Sequence, residues 1–255
     1  MRADAGGSLY RARDLGYSLN VAGSRKNPEE PQYVALIGDV VLSRRLAARQ
    51  RAALQQRLRG CLDAFNAQHA DGIAARLLTT LGDEFQGLFR PSPAGCRAAV
   101  ALMRGLTLEL APTRMRFALG AGPLTTALLP EALGMDGPCF HRAREGLVRL
   151  KAEDLSCILK HRGTPLETLW TLLATDVIRQ AQRWTEPQRR TIALLYAHGG
   201  SDAGPTQKDA ARRLRISESA VSQRLHAANW RFHRTAMATL ETTLATLVDP
   251  KASPV

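Results

Sequence analysis

The sequence predicts an α+β unit followed by an all-α unit, and three observations carry that expectation. Short apolar runs with β-branched residues alternate with long amphipathic stretches as far as about residue 164. Beyond Gly163-Thr164-Pro165 every periodic segment has helical spacing. With 45% hydrophobic residues in 255, the chain can bury a core, and at ~150 residues per domain two units are expected.

Residues 1–31 are rich in Gly, Arg and polar side chains and hold no period, so they read as a disordered leader. Structure begins abruptly at Tyr33-Val-Ala-Leu-Ile37, an apolar run suited to a buried strand, and Gly38-Asp39-Val40-Val41 ends it. From Arg45 to His69 a long helix is predicted, with Leu46, Leu54, Leu58, Cys61, Leu62 and Phe65 on one face. Ala74 to Thr80 and Glu84 to Phe89 read as strands around the tight Leu81-Gly82-Asp83 turn. After the Pro91-Ser-Pro93 break come a second helix, Ala94 to Leu110, and a fourth strand, Arg116 to Ala121. The order β-α-β-β-α-β is the ferredoxin-like or palm arrangement, with helices on one face of an antiparallel sheet. A helix from about Pro138 to Lys151 and a strand near Ser156 to Lys160 complete this unit. The expected boundaries are a palm over residues 32–164, a helical connector over 165–183 and a helical unit over 184–248. The connector's Leu169, Leu172, Leu173 and Val177 make an apolar stripe, for its own palm or for a second copy.

Charge narrows the partners. Thirty-five basic residues against 23 acidic give +12, and only five of the basic residues are Lys. A polyanionic partner fits: nucleotide, nucleic acid or anionic lipid, although genomic base composition also raises Arg content. No apolar run approaches the ~20 residues of a membrane span, and no signal peptide is recognisable, so a cytoplasmic protein without membrane partners is expected. Cys61, Cys96, Cys139 and Cys157 are scattered, which indicates neither a disulfide framework nor a zinc site. His161, His198 and His233 have no sequence partners and read as structural.

The C-terminal helices carry a helix-turn-helix pattern. Thr185-Glu-Pro-Gln188 is a capping box opening a helix that runs to His198 and stops at Gly199-Gly200. Thr206 starts a short helix to Leu214, Arg215-Ile216-Ser217 forms the turn, and Ser217 caps the next helix. With Val221, Leu225 and Ala228 inward, Ser219, Ser222, Gln223 and His226 fall outward at i, i+3, i+4 and i+7. Short polar and amide side chains there reach base edges, while Arg212, Arg213, Arg215 and Arg224, with Ser217, suit phosphates. A three-helix bundle used for protein contact would show the same solvated face.

Two carboxylates mark the palm. Asp39 sits just past the first strand and Asp83 in the hairpin between strands two and three, which the palm makes neighbours at one sheet end. Such a pair can clamp divalent ions about 3.5–4 Å apart for work on a nucleoside triphosphate. Gly38 and Gly82 precede them and allow close backbone approach, and Glu84 adjoins the second. Two Gly-Asp pairs are also ordinary turn residues. His141 and Arg144, near the helix start that Pro138 sets, are either phosphate contacts or a surface pair.

The blocks Val34-Ala-Leu-Ile-Gly-Asp-Val-Val41, Thr80-Leu-Gly-Asp-Glu-Phe-Gln-Gly-Leu88, Arg116-Phe-Ala-Leu-Gly-Ala-Gly-Pro123 and Asp136-Gly-Pro-Cys-Phe-His-Arg-Ala-Arg144 resemble the bacterial SatD family. With the helix-turn-helix, the resemblance covers roughly residues 33–235. More distantly, the same blocks are similar to class III nucleotide cyclases and the diguanylate-cyclase palm. That resemblance implies Mg²⁺ or Mn²⁺ held by Asp39, Asp83 and the Val40 carbonyl. It also shows departures. The cyclase helix carries an Asn and an Arg four apart; here His141 is followed by Glu145, with Arg144 one position early. The adenine-reading Lys of adenylate cyclases falls at Thr79, and Leu81 replaces the first Gly of the diguanylate-cyclase pattern.

The expectation is a homodimeric transcriptional regulator that binds DNA through its helix-turn-helix and senses a nucleotide and divalent metal through a cyclase-like palm. The alternatives are an active nucleotide cyclase or nucleotidyltransferase, and a protein-interaction scaffold.

Overall fold

The computed structural model describes residues 30–196 and 205–249. Nearly all of the leader expected over 1–31, together with His198 and the Gly199-Gly200 stop, lies outside the described residues.

Val34, Ala35, Leu36 and Ile37 are 0–1% exposed, as a strand covered on both faces requires. They belong to β1 (Tyr33–Val40), the middle of a five-stranded sheet. The strands β2 (Ile73–Thr79), β3 (Phe85–Phe89), β4 (Met115–Gly122) and β5 (Cys157–Lys160) complete it in the order β2-β3-β1-β4-β5. β1 runs antiparallel to β3 and to β4, with Gly38 opposite Phe85 and Asp39 opposite Arg116. The β-α-β-β-α-β order is present, and β5 is added parallel to β4.

Alternate residues of the strands feed two separate cores. Leu36, Phe85, Phe117 and Leu119 pack with α1 (Ala48–Gln68) and α2 (Pro93–Glu109). Ile37, Leu88 and Ala118 pack with Phe140, Ala143 and Leu147 of α3 (Pro138–Glu153) on the opposite face. Both sheet faces are therefore covered, rather than one. The β4-α3-β5 crossover that joins two parallel strands brings this third helix. Its approach is close: a Cβ on Gly120 would sit 2.1 Å from the Cys139 carbonyl oxygen and 2.4 Å from the Ala143 nitrogen.

Helix α4 (Pro165–Gln182) splits the expected stripe: Val177 is buried and Leu173 packs against the first core, but Leu169 and Leu172 do not. Leu169 and Leu172 are 63% and 56% exposed, and the buried face is Trp170, Thr171, Ala174, Thr175, Val177 and Ile178. The reason is the sheet edge. β5 has no outer neighbour, and the helix supplies one: Thr175 Oγ1 accepts from Cys157 N at 3.2 Å and donates to Cys157 O at 2.9 Å. Thr171 Oγ1 accepts from Leu159 N at 3.1 Å. Hydroxyls that satisfy edge backbone groups outrank leucines for the inner face.

The remaining helices are α5 (Glu186–Tyr196), α6 (Gln207–Leu214), α7 (Glu218–Ala227) and α8 (Trp230–Val248). Trp184, Ile192, Ala210, Ala211, Val221, Leu225 and Ala228 form a third core among α5, α6 and α7. Helix α8 leaves it: Met237, Leu240 and Leu244 join the α1 and α2 core, and Trp170 Nε1 donates to the Leu240 carbonyl at 2.9 Å. The connector expected over 165–183 and the end of the 184–248 unit are thus packed into the first unit. No helix of the described residues is long and apolar enough to cross a membrane.

Gly120→Ala should destabilise the chain by about 2–3 kcal/mol, because both clashing groups are backbone and cannot swing away. Gly105→Ala in α2, where a Cβ meets nothing within 4 Å, should instead stabilise by up to ~1 kcal/mol. Urea unfolding of the two variants checks the contrast.

Candidate functional site

The alternation along β1 places Val40 in the α1 and α2 core and turns Asp39 toward α3. Asp39 is 7% exposed. Its Oδ2 lies 2.9 Å from Lys151 Nζ, on the last turns of α3, and 3.7 Å from Arg116 on β4. Its Oδ1 is buried and has no hydrogen-bond partner. An anionic oxygen in that position is costly unless something cationic or protic meets it.

The β3 side of the same sheet end carries the other carboxylates. The β1–β3 ladder ends at Gly38 and Phe85, so Asp39 lies one residue beyond it, and Asp83 lies in the turn two residues before β3 begins. The β2–β3 hairpin is closed by Thr80 N donating to Glu84 O at 2.8 Å and Glu84 N to Leu81 O at 3.0 Å. Gly82 takes φ +65° in its tip, the conformation that favours glycine. Arg144 meets Glu84 at 2.7 Å, and Thr80 Oγ1 lies 3.3 Å from the same carboxylate oxygen. Asp83 is half-buried.

Asp39 with Arg116 and Lys151, and Glu84 with Arg144, thus lie toward the same end of the sheet, and Asp83 sits in the hairpin turn beside Glu84. Arg144, Val148 and Lys151 are spaced i, i+4 and i+7, one face of α3. Sequence reasoning found Arg144 but missed Lys151 and Arg116. The signals were that helical spacing and the antiparallel register of β4 against Asp39.

Other expected residues have different neighbours. A Cβ on Gly38 would strike the Phe85 ring at 2.4 Å and the Arg116 carbonyl at 2.9 Å, so ring packing already requires glycine there. His141 is not brought to the carboxylates. It meets Asp136 at 2.6 Å near the start of α3, which packs against Gly120 and Gly122. Gly122 pairs with Tyr33, the opposite end of β1 from Asp39.

A divalent cation has a donor here, since Asp39 Oδ1 is a buried, unpaired anionic acceptor. Asp83 stands at the same end. Any such ion shares Asp39 with the Lys151 ammonium, which already neutralises its other oxygen. Among the described residues no group of three or more His, Cys, Asp and Glu side chains forms a metal cage.

The second expected surface lies on α6 and α7. Thr206 and Asp209 cap α6 reciprocally, and Ser217 Oγ accepts from Ala220 N at 3.1 Å to start α7. Arg215, between them, takes φ 54° and gives its N–H to the carbonyls of Ala211 and Arg212. Ser219, Ser222, Gln223 and His226 are all exposed, as are Arg212, Arg213 and Arg215. Arg224 differs: it is half-buried and donates to Thr191 Oγ1 of α5 at 3.4 Å. Its position between Val221 and Leu225 brings it against α5, beside the outward polar row rather than within it.

Two solved structures, both described as a bacterial light-regulated adenylyl cyclase, are similar to this chain at low level. One shares 13% identity at a TM-score of 0.39, over 52% of this chain and 77% of its own. The other shares 14% at 0.37, over 61% of this chain and 60% of its own. No curated protein matches the sequence. The SatD family matches residues 33–241, through the sheet, the carboxylate end and all of α5 to α7, and the chain belongs to that family.

Proposed function

We propose that this SatD-family protein is a DNA-binding regulator whose α6 and α7 form a helix-turn-helix and whose sheet unit is a nucleotide-sensing palm. The observation that carries the reading is the outward face of α7. Ser219, Ser222, Gln223 and His226 form one exposed polar row, and exposed Arg212, Arg213 and Arg215 flank it. Polar groups of this reach suit base edges, and guanidinium groups around them suit phosphates.

Mobility shifts over a salt series test it. Arg213→Ala or Arg215→Ala should weaken binding to all sequences alike and flatten the salt slope, because fewer counterions are released. Gln223→Ala should relax sequence preference by about 1–3 kcal/mol at one position. No binding to genomic fragments at low salt would leave the interaction-scaffold reading in its place.

The carboxylate end supports a sensor more than an enzyme. Transition-state charge on a phosphate needs positioned, available donors. Here Arg144 is engaged by Glu84 and Lys151 by Asp39, while His141 sits toward the other end of the sheet. Asp39 Oδ1 and Asp83 would hold Mg²⁺ or Mn²⁺, which supplies charge for phosphate oxygens when bound. Gly82 and Glu84 border that place. Titration calorimetry with Mn²⁺ and nucleoside triphosphates checks the reading. Asp39→Ala should abolish metal-dependent binding. Lys151→Met should tighten Mn²⁺ alone about tenfold, as removal of one competing, partly solvated charge implies. A cyclic product from long incubation with ATP or GTP, lost in Asp83→Ala, would favour the cyclase.

A homodimer belongs to this reading, since one short recognition helix contacts few bases and two-fold pairing supplies the rest. Leu166, Leu169 and Leu172, at 41%, 63% and 56% exposure, give α4 an open stripe for a second copy. Light scattering should find a dimer for the wild type and a monomer for Leu169→Glu.

A further inference from the structure

We propose that a cleft between α1, α2 and α5, on the sheet face opposite α3, binds a small amphipathic anion: an apolar body ended by a carboxylate or sulfonate-like group. The cleft encloses about 650 Å³, within the ~300–1,000 Å³ of small-molecule sites.

Its shape comes from two glycines. Gly60 lies inside α1 and Gly105 inside α2, where glycine is among the poorest helix formers. Neither serves close packing, because a Cβ at either would meet nothing within 4 Å. At Gly38, Gly72, Gly87, Gly95 and Gly120 an added Cβ would come within 3 Å of a neighbour. The two cleft glycines instead remove side chains from facing helix surfaces, and the space they leave is walled by Phe65, Leu102 and Leu106.

The polar lining sets two cations, Arg57 and Arg104, against one carboxylate, Glu109. Arg57 gives an N–H to the Glu109 carbonyl. Arg104 stacks 3.9 Å over the Tyr196 ring of α5 and lies 3.6 Å from Glu241 of α8. Burial and the neighbouring Arg104 charge hold His69 below its ordinary pKa, so the positive charge of the lining rests on the two arginines. An anion set by Arg104 would leave its apolar body along Gly60 and Gly105. The occupant would touch α5 through Ala193 and Tyr196, and α5 packs with the α6 and α7 pair. Ligand in the cleft would therefore brace the helices proposed to read DNA against the sheet unit, separately from the carboxylate end.

The test uses 8-anilinonaphthalene-1-sulfonate, an aromatic sulfonate, titrated by fluorescence into the full chain under folding conditions. Saturable one-site binding is expected for the wild type. Gly60→Leu and Gly105→Leu should each weaken it at least tenfold while leaving the melting temperature equal or higher, because the new side chain enters open space. Asp39→Ala should bind the probe as wild type does, which separates this site from the carboxylate end. N-phenyl-1-naphthylamine, which lacks the sulfonate, should bind at least tenfold more weakly. Alkylation of Cys61, a half-buried cleft thiol, should slow when the sulfonate is bound. The proposal is overturned by absent saturable binding, by wild-type affinity in both glycine variants, by equal binding of the neutral analogue, or by unprotected Cys61.

Discussion

The contact on which the rest of the sheet unit depends is the approach of α3 to β4. At Gly120 the first turn of the helix touches strand backbone, and at Gly146 a Cβ would lie 2.9 Å from Ile158 of β5. Two such points fix both the height and the rotation of the helix over the sheet. Only with that rotation does the face bearing Arg144 and Lys151 turn toward Glu84 and Asp39. The electrostatics of the carboxylate end is thus a consequence of steric fit some distance away.

The second constraint is the sheet edge at β5. A parallel edge strand exposes unpaired N–H and C=O groups, and the hydroxyls of Thr171 and Thr175 meet them. This fixes the rotation of α4, and Trp170 then reaches α8 to hydrogen-bond at Leu240. Helix α8 is continuous with the small helical group through Asn229, at φ 51°, and Trp184 Nε1 bonds the Ala228 carbonyl at 2.9 Å. The surface proposed for DNA is therefore tied to the sheet unit through two tryptophans. Movement of one unit has a physical route to the other.

These constraints explain what was legible in the sequence. The β1 run, the hairpin at Gly82-Asp83 and the cap at Ser217 are local: a few adjacent side chains dictate them, and each lies where the pattern put it. The stripe on α4 was only partly legible, since Val177 and Leu173 pack inward and Leu169 and Leu172 do not. The helix is apolar on several sides, and periodicity cannot show that threonines are needed inside to complete a strand edge. Lys151 was missed for a similar reason. Its partner lies on β1, more than a hundred residues earlier in the chain, and only the docking of α3 joins them. The contact of Arg224 with Thr191 was not legible either, because an arginine in a polar helix reads as solvated until α5 is placed beside it.

The two sheet faces divide the chemistry. On the α3 face, acidic groups end a central strand and meet their counter-ions from a helix locked in place. On the α1 and α2 face, the chain leaves room where two helices face each other, and arginines border that room. Arg104 belongs to both the cleft and the packing of the last helix, since it joins Tyr196 of α5 and Glu241 of α8. Burial raises the Glu241 pKa, while the neighbouring Arg104 and Arg97 charges lower it. An anion that binds Arg104 would compete with Glu241 for the same guanidinium. Because Arg104 touches both Tyr196 of α5 and Glu241 of α8, that competition gives a ligand in the cleft a physical route to both helices.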